Sequence, residues 1–317
     1  MPSGNAGSRA STSSITGAWG EGWEGSLKGG LGFTVWAALI IAAILAYRLS
    51  PILHYGFVRA ALAAGLLAGI LSGIISVYIA VKRVTLMSGG ISHAAFGGVG
   101  LGYLLGVNPL LAAIPFSLAA TFLALALGRK ARVHEDAALS ILWAGGMSLG
   151  ILFVALGGRG FGHDLLGYLF GSLFAVSTFE LTLILAIAAC VLAVVALFHK
   201  DFMVICFDED YGRALGLPVD RLNLLLMCMA ALTVIGLIRV VGVLLAIALL
   251  VIPAMVALKL GGSLRQVMAS SILLAVSFII YGAWFSYMFD LPSGAAVLPA
   301  SALLFALAGV EKALRRP

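Results

Sequence analysis

Long uncharged apolar runs recur along most of this chain, and no other feature limits its fold as strongly. We read ten of them, over residues 31–47, 57–81, 90–107, 109–128, 136–156, 178–198, 221–238, 242–260, 266–289 and 293–313. A run of about 20 apolar residues carries a helix across the hydrocarbon core of a bilayer. Lipid offers the backbone no hydrogen bonds, so such runs fold as helices that satisfy themselves. The runs are continuous rather than alternating, which excludes a porin-like barrel. Composition agrees: 62% of the 317 residues are apolar and only 10% are charged, against about 25% charged in a soluble domain. The expected class is all-α, a polytopic helical membrane protein of about 8–10 transmembrane helices. The 221–260 pair is interrupted at Arg239 and Gly242, and reads as two full spans or as one span plus a re-entrant piece. Residues 1–30, rich in Gly, Ser and Ala, are expected to be a disordered tail before a transmembrane domain over 31–317.

The few charges test this layout. With the N-terminus inside and one crossing per segment, the cytoplasmic loops and C-terminal tail hold thirteen basic residues, among them Lys82, Arg83, Arg129, Lys130, Lys200, Arg213, Arg221, Lys259 and Arg265. Only Arg48, Arg59, Arg159 and Arg239 fall outside. That is the asymmetry the positive-inside rule requires, and miscounting one segment would invert every later loop. The predicted location is the plasma (inner) membrane, multi-pass, with both termini cytoplasmic. The net charge of +6 follows from this asymmetry and implies no nucleic acid partner. Cys190, Cys206 and Cys228 form no CxxC pair, which argues against a disulfide framework or a thiolate metal site.

Glycine repeats at a spacing of four mark helix contacts. Gly65, Gly69 and Gly73 form one ridge, and Gly98, Gly102 and Gly106 another. Small residues at this spacing let helix backbones approach closely in lipid.

Three stretches could carry chemistry. In Ser88-Gly89-Gly90-Ile91-Ser92-His93, His93 is the one histidine inside a long apolar segment. It is either a contact on a cation pathway or a histidine bonded to a neighbouring helix. One histidine is not a metal site, since zinc takes about four ligands. The polar stretch 199–221 contains Asp208, Glu209 and Asp210, an acidic start to a short helix that Gly216 would end. By itself it reads as a solvated connector, with docking of another protein as the alternative. The stretch 157–177 reads as an ordinary loop, with a short helix or contact with an external partner as the alternative. The chain has no phosphate-binding GxxxxGK[ST] motif and no GxSxG, so catalysis on a covalent bond is not expected.

Taken in order, several stretches resemble the membrane permeases of ABC importers for zinc, manganese and iron. They are Arg83-Val-Thr-Leu-Met-Ser-Gly-Gly-Ile-Ser-His93 followed by Gly97 and Gly98; Glu135-Asp136 leading to Ser148-Leu149-Gly150; Tyr168 to Ser172; Arg213 to Pro218 with Arg221; Val240 to Ala254; and the Asp290-x-Pro-x-Gly294 turn. The resemblance covers about 57–313, with 31–47 additional. It implies a non-enzymatic transport subunit that binds no cofactor, with ATP bound and hydrolysed on separate ATP-binding cassette ATPase subunits. An external metal-binding protein and a second permease copy, in a homodimer, would complete the assembly. His93, with Ser92 and Ser88, would line the metal pathway, and Gly97, Gly98 and Gly102 would pack beside it. Asp208, Glu209, Asp210, Arg213, Ala214, Leu215 and Gly216 would form the element coupled to the ATPase. Many relatives place an Asp where this chain has Gly89, a histidine near Ala144 and an Asp at Ser172; these departures touch the metal pathway. The alternatives are a stand-alone secondary transporter, which needs intramembrane carboxylates where Asp136, Glu180 and Asp290 fall at span ends, and a non-transporting membrane scaffold.

Overall fold

The computed structural model describes residues 33–130, 135–157, 162–292, 294, 301–303 and 305–306. The expected tail over 1–30, most of the segment 293–313 and the basic C-terminus lie outside the described residues. Among the described residues these α-helices follow in chain order: α1 (Phe33–Leu49), α2 (Gly56–Val81), α3 (Thr85–Leu105), α4 (Pro109–Lys130), α5 (Glu135–Leu156), α6 (Gly162–Phe170), α7 (Thr178–Phe207), α8 (Glu209–Ala214), α9 (Val219–Leu249), α10 (Ile252–Leu260) and α11 (Leu264–Phe289). Among the described residues there is no strand.

Local signals set several boundaries. Ser177 and Glu180 form a capping box at α7, and Ser263 and Gln266 form another at α11. Asn108 accepts from Leu110 N at the start of α4. Gly106 (φ 66°) closes α3 in the left-handed conformation. The expectation that Gly106 extends a packing ridge is therefore corrected, since nothing lies within 4 Å of its would-be Cβ.

The Gly65/Gly69/Gly73 ridge does pack. It meets Ile279, Val276 and Ile272 of α11 in antiparallel order, and a Cβ on Gly69 would lie 3.0 Å from Val276 Cα. Such close approach favours dispersion, which is what holds helices together in lipid. Around this centre, Ile40, Ile44, Phe122, Leu185 and Leu197 are exposed, as lipid contact requires. α1 rests on α11, where Tyr281 donates to Ala38 O at 2.5 Å.

Among the described residues six helices are long and apolar enough to cross a membrane: α1, α2, α4, α7, α9 and α11. Of the other expected segments, 293–313 lies mostly outside the described residues, and the rest differ for physical reasons. α3 is rich in Gly and Ser and is shielded by its neighbours. The described apolar part of α5 is short. α9 breaks at Gly242 (φ 82°, ψ 165°), and the chain returns in two pieces, 243–249 and 252–260. This return ends with Ala254 and Ala257 packed against Val77 and Ala80 of α2. It lies between the two readings of 221–260, a return path made of broken helix.

Two further expectations are corrected. The 157–177 stretch is not an ordinary loop: it holds α6 and a 3-10 turn over Leu173–Ala175. The span from 178 continues as one helix through Lys200 and Asp201 to Phe207 rather than ending near 198, and stops where Asp208 turns extended to cap α8.

Candidate functional site on helix α3 and its link to helix α8

α3 lies between α4, α5 and α9. Gly97 and Gly98 face Phe116 and Ala113, and Gly102 faces Pro109, with a Cβ on Gly98 or Gly102 falling 2.6 Å from backbone Cα atoms of α4. These three glycines pack the helix within its own chain. The α3–α5 crossing rests on others that sequence reasoning passed over: Gly100 lies against Gly150, and Gly146 against the His93 backbone, its would-be Cβ 2.6 Å from His93 C. Their own spacing of four, Gly146 to Gly150, was the available signal.

This packing buries His93 to 4% exposure. Its Nδ1 has no hydrogen-bond partner among the described residues. By contrast, His199 Nδ1 is bonded to the Tyr78 hydroxyl at 2.6 Å. The Trp143 ring lies 5.4 Å from the His93 ring, tilted by 41°. The same indole covers Gly89, whose would-be Cβ falls 3.4 Å from it. A methyl group fits there in ordinary contact with the indole. Ser88 donates to Thr85 O (2.6 Å) and Ser92 to Ser88 O (2.8 Å), which leaves their oxygens able only to accept. Among the described residues no three His, Cys, Asp or Glu side chains group to hold a metal.

At one end of the bundle α8 forms a knot of polar contacts. Asp208 caps it, accepting from Asp210 N (2.9 Å) and Tyr211 N (3.0 Å). Gly216 (φ 77°) ends the turn after it. Glu209 turns inward: Oε1 accepts from Lys82 of α2 at 2.5 Å and from Asn223 of α9 at 3.0 Å, and Oε2 from Arg213 at 3.3 Å. Burial works against its ionisation, but Lys82, Asn223 and Arg213 outweigh it and hold the carboxyl below its usual range. Phe207, Tyr211 and Leu215 are each more than half exposed.

At the opposite end, Arg239 pairs with Glu180 at 2.8 Å, both side chains nearly buried. The guanidinium also lies over the Tyr168 ring, 5.0 Å from its centroid. Gly171, Gly242 and Gly294 meet there: a Cβ on Gly242 would lie 2.5 Å from Leu169 O, and one on Gly294 would strike Phe170 O. Ser172 N donates to Arg239 O at 3.3 Å. The sequence put Glu180 and Arg239 at one end but did not show that they pair.

A bundle of helices long and apolar enough to cross a membrane, packed around a glycine-rich helix that buries His93, defines a multi-pass membrane protein. Residues 54–311 match the ABC 3 transport family. The chain belongs to that family. It is 37% identical over 256 residues to the uncharacterised membrane protein slr2045 of Synechocystis, covering 80% of this chain and 90% of that one. It is 34% identical to the manganese transport system membrane protein MntC of Listeria innocua, over 82% and 92%. The solved structure of PsaBC from Streptococcus pneumoniae in complex with Fab superposes with a TM-score of 0.74 at 26% identity, covering 84% of this chain and 94% of that one.

Proposed function

We propose that this chain is the permease subunit of an ATP-driven importer of a divalent transition metal: manganese, iron or zinc. The observation that carries the reading is His93, a buried imidazole with an unpartnered Nδ1 on the central helix of a chain in this family. The resemblance to a manganese transport protein supports the substrate class. An intramembrane ionisable residue is costly to keep without use. A single imidazole with serine oxygens nearby offers few ligands, which suits an ion that must enter and leave, since conduction requires sites weak enough to release.

In this reading the Lys82 end faces the cytoplasm, as the basic residues gathered there favour. α8 receives the ATPase subunits, with Phe207, Tyr211 and Leu215 forming an apolar docking surface bordered by Asp210 and Arg213. The Arg239 end faces the external metal-binding protein. A second copy completes the pathway, and His93 from each copy offers a ligand. ATP binding and hydrolysis in the partner switch the assembly between outward-facing and inward-facing states, and the permease performs no covalent chemistry.

Uptake of radiolabelled manganese, iron and zinc is measured in vesicles holding the permease, its ATPase and its binding protein. Uptake that requires hydrolysable ATP is the expected outcome. Equal uptake without ATP would instead fit a stand-alone secondary transporter.

A further inference from the structure

We propose that Glu209 is a positioning residue that transmits displacement of α8 to the helix bearing His93, through its ion pair with Lys82. The inference rests on the permease reading above and assigns Glu209 a role distinct from docking.

The geometry sets out a continuous path. Glu209 joins three elements at one carboxylate: α8 that carries it, α2 through Lys82, and α9 through Asn223. The Lys82 side chain is 11% exposed and that of Glu209 37%, and Lys82 also reaches Ile205 O of α7 at 3.5 Å. A pair with one buried partner and further hydrogen bonds holds its geometry better than a fully exposed one. By contrast, Asp210 on the same helix is 93% exposed and pairs only with Arg213 of its own helix.

Lys82 closes α2, and only Arg83 and Val84 separate it from α3. Arg83 holds a left-handed backbone (φ 63°), a conformation that a non-glycine residue keeps only where its surroundings fix it. Val84 N donates back to Ile79 O at 3.1 Å. A turn this short and this constrained moves with Lys82. From it, the Ser88-to-Thr85 and Ser92-to-Ser88 hydrogen bonds run up the first turns of α3 to the residue before His93. Helices and tight turns pass displacement along when they act as rigid bodies.

The test uses the full assembly in vesicles and reads three quantities: ATPase association, ATP hydrolysis, and metal taken up per ATP hydrolysed. Glu209→Gln keeps the acceptor for Asn223 and removes the charge. Its expected outcome is retained association and hydrolysis, with uptake per ATP lower by about fivefold or more. Lys82→Gln gives the same phenotype, and the exchange Lys82→Glu with Glu209→Lys recovers much of the loss. The rescue shows that the two residues act as a pair, and the fall in uptake per ATP with association and hydrolysis retained is what a merely structural role would not produce. Unchanged uptake per ATP in both single variants overturns the proposal. Loss of association in Glu209→Gln also overturns it, by placing the residue in the docking surface. Wild-type uptake indifferent to ATP would instead remove the permease reading on which the proposal stands.

Discussion

His93 and His199 show one side chain put to two uses. His199 is tied to Tyr78, while His93 keeps Nδ1 unpartnered under Trp143. The sequence singled out His93 because of its apolar surroundings. The indole above Gly89 was not legible, since it depends on which face of α5 turns toward α3. Caps were legible because they are local: Asp208 and Gly216 act where their neighbours in sequence imply. Glu180 and Arg239 were legible only as neighbours at one end, because pairing depends on helix rotation. Glycine conformation gives a direct prediction. Gly242 occupies a region open only to glycine and is wedged against Leu169 and Gly171. Gly242→Ala should cost about 3 kcal/mol or more, from strain and clash together. Gly216→Ala, with open space around its Cβ, should cost about 1 kcal/mol. Thermal unfolding in detergent compares them, and equal shifts would contradict the assignment.

Among the elements, the long spans were readable from apolar length alone, though not their ends: α7 runs through Lys200 and Asp201 to Phe207. α3 starts at Thr85, earlier than the apolar run suggests, because packing on α4 and α5 makes a helix of a Ser-Gly-Gly stretch. α6 was only the second reading of 157–177, because its nine residues resemble a loop in composition. α8 was expected as a short helix and is one, yet its acidic residues divide their work: Asp208 caps, Glu209 anchors and Asp210 stays in solvent. The Glu209 carboxyl is held low by its partners, so its contribution is present above the ordinary carboxylate range and fades as pH falls through it. Docking is argued on the apolar residues. Tyr211→Glu should reduce ATPase co-purification by about tenfold, with the permease fold intact by thermal unfolding. Undiminished co-purification would remove Tyr211 from the docking surface.

For the whole molecule, the alternating charge pattern anticipated a chain whose basic residues gather at one end, and the packing agrees: Lys82 meets α8, and α2, α10 and α11 meet at that same end. Sequence marked the interruption at Gly242 but left two full spans and a re-entrant piece both open for 221–260, since a break at one glycine leaves apolar length unchanged. In the proposed function ions pass at His93, between a docking surface at one end and the Arg239–Glu180 junction at the other. Its most direct test is the initial rate of ATP-driven manganese uptake by vesicles holding His93→Ala, matched for incorporated protein and ATPase association. The predicted result is a rate lower by about tenfold or more with assembly unchanged. A rate equal to wild type would contradict the pathway.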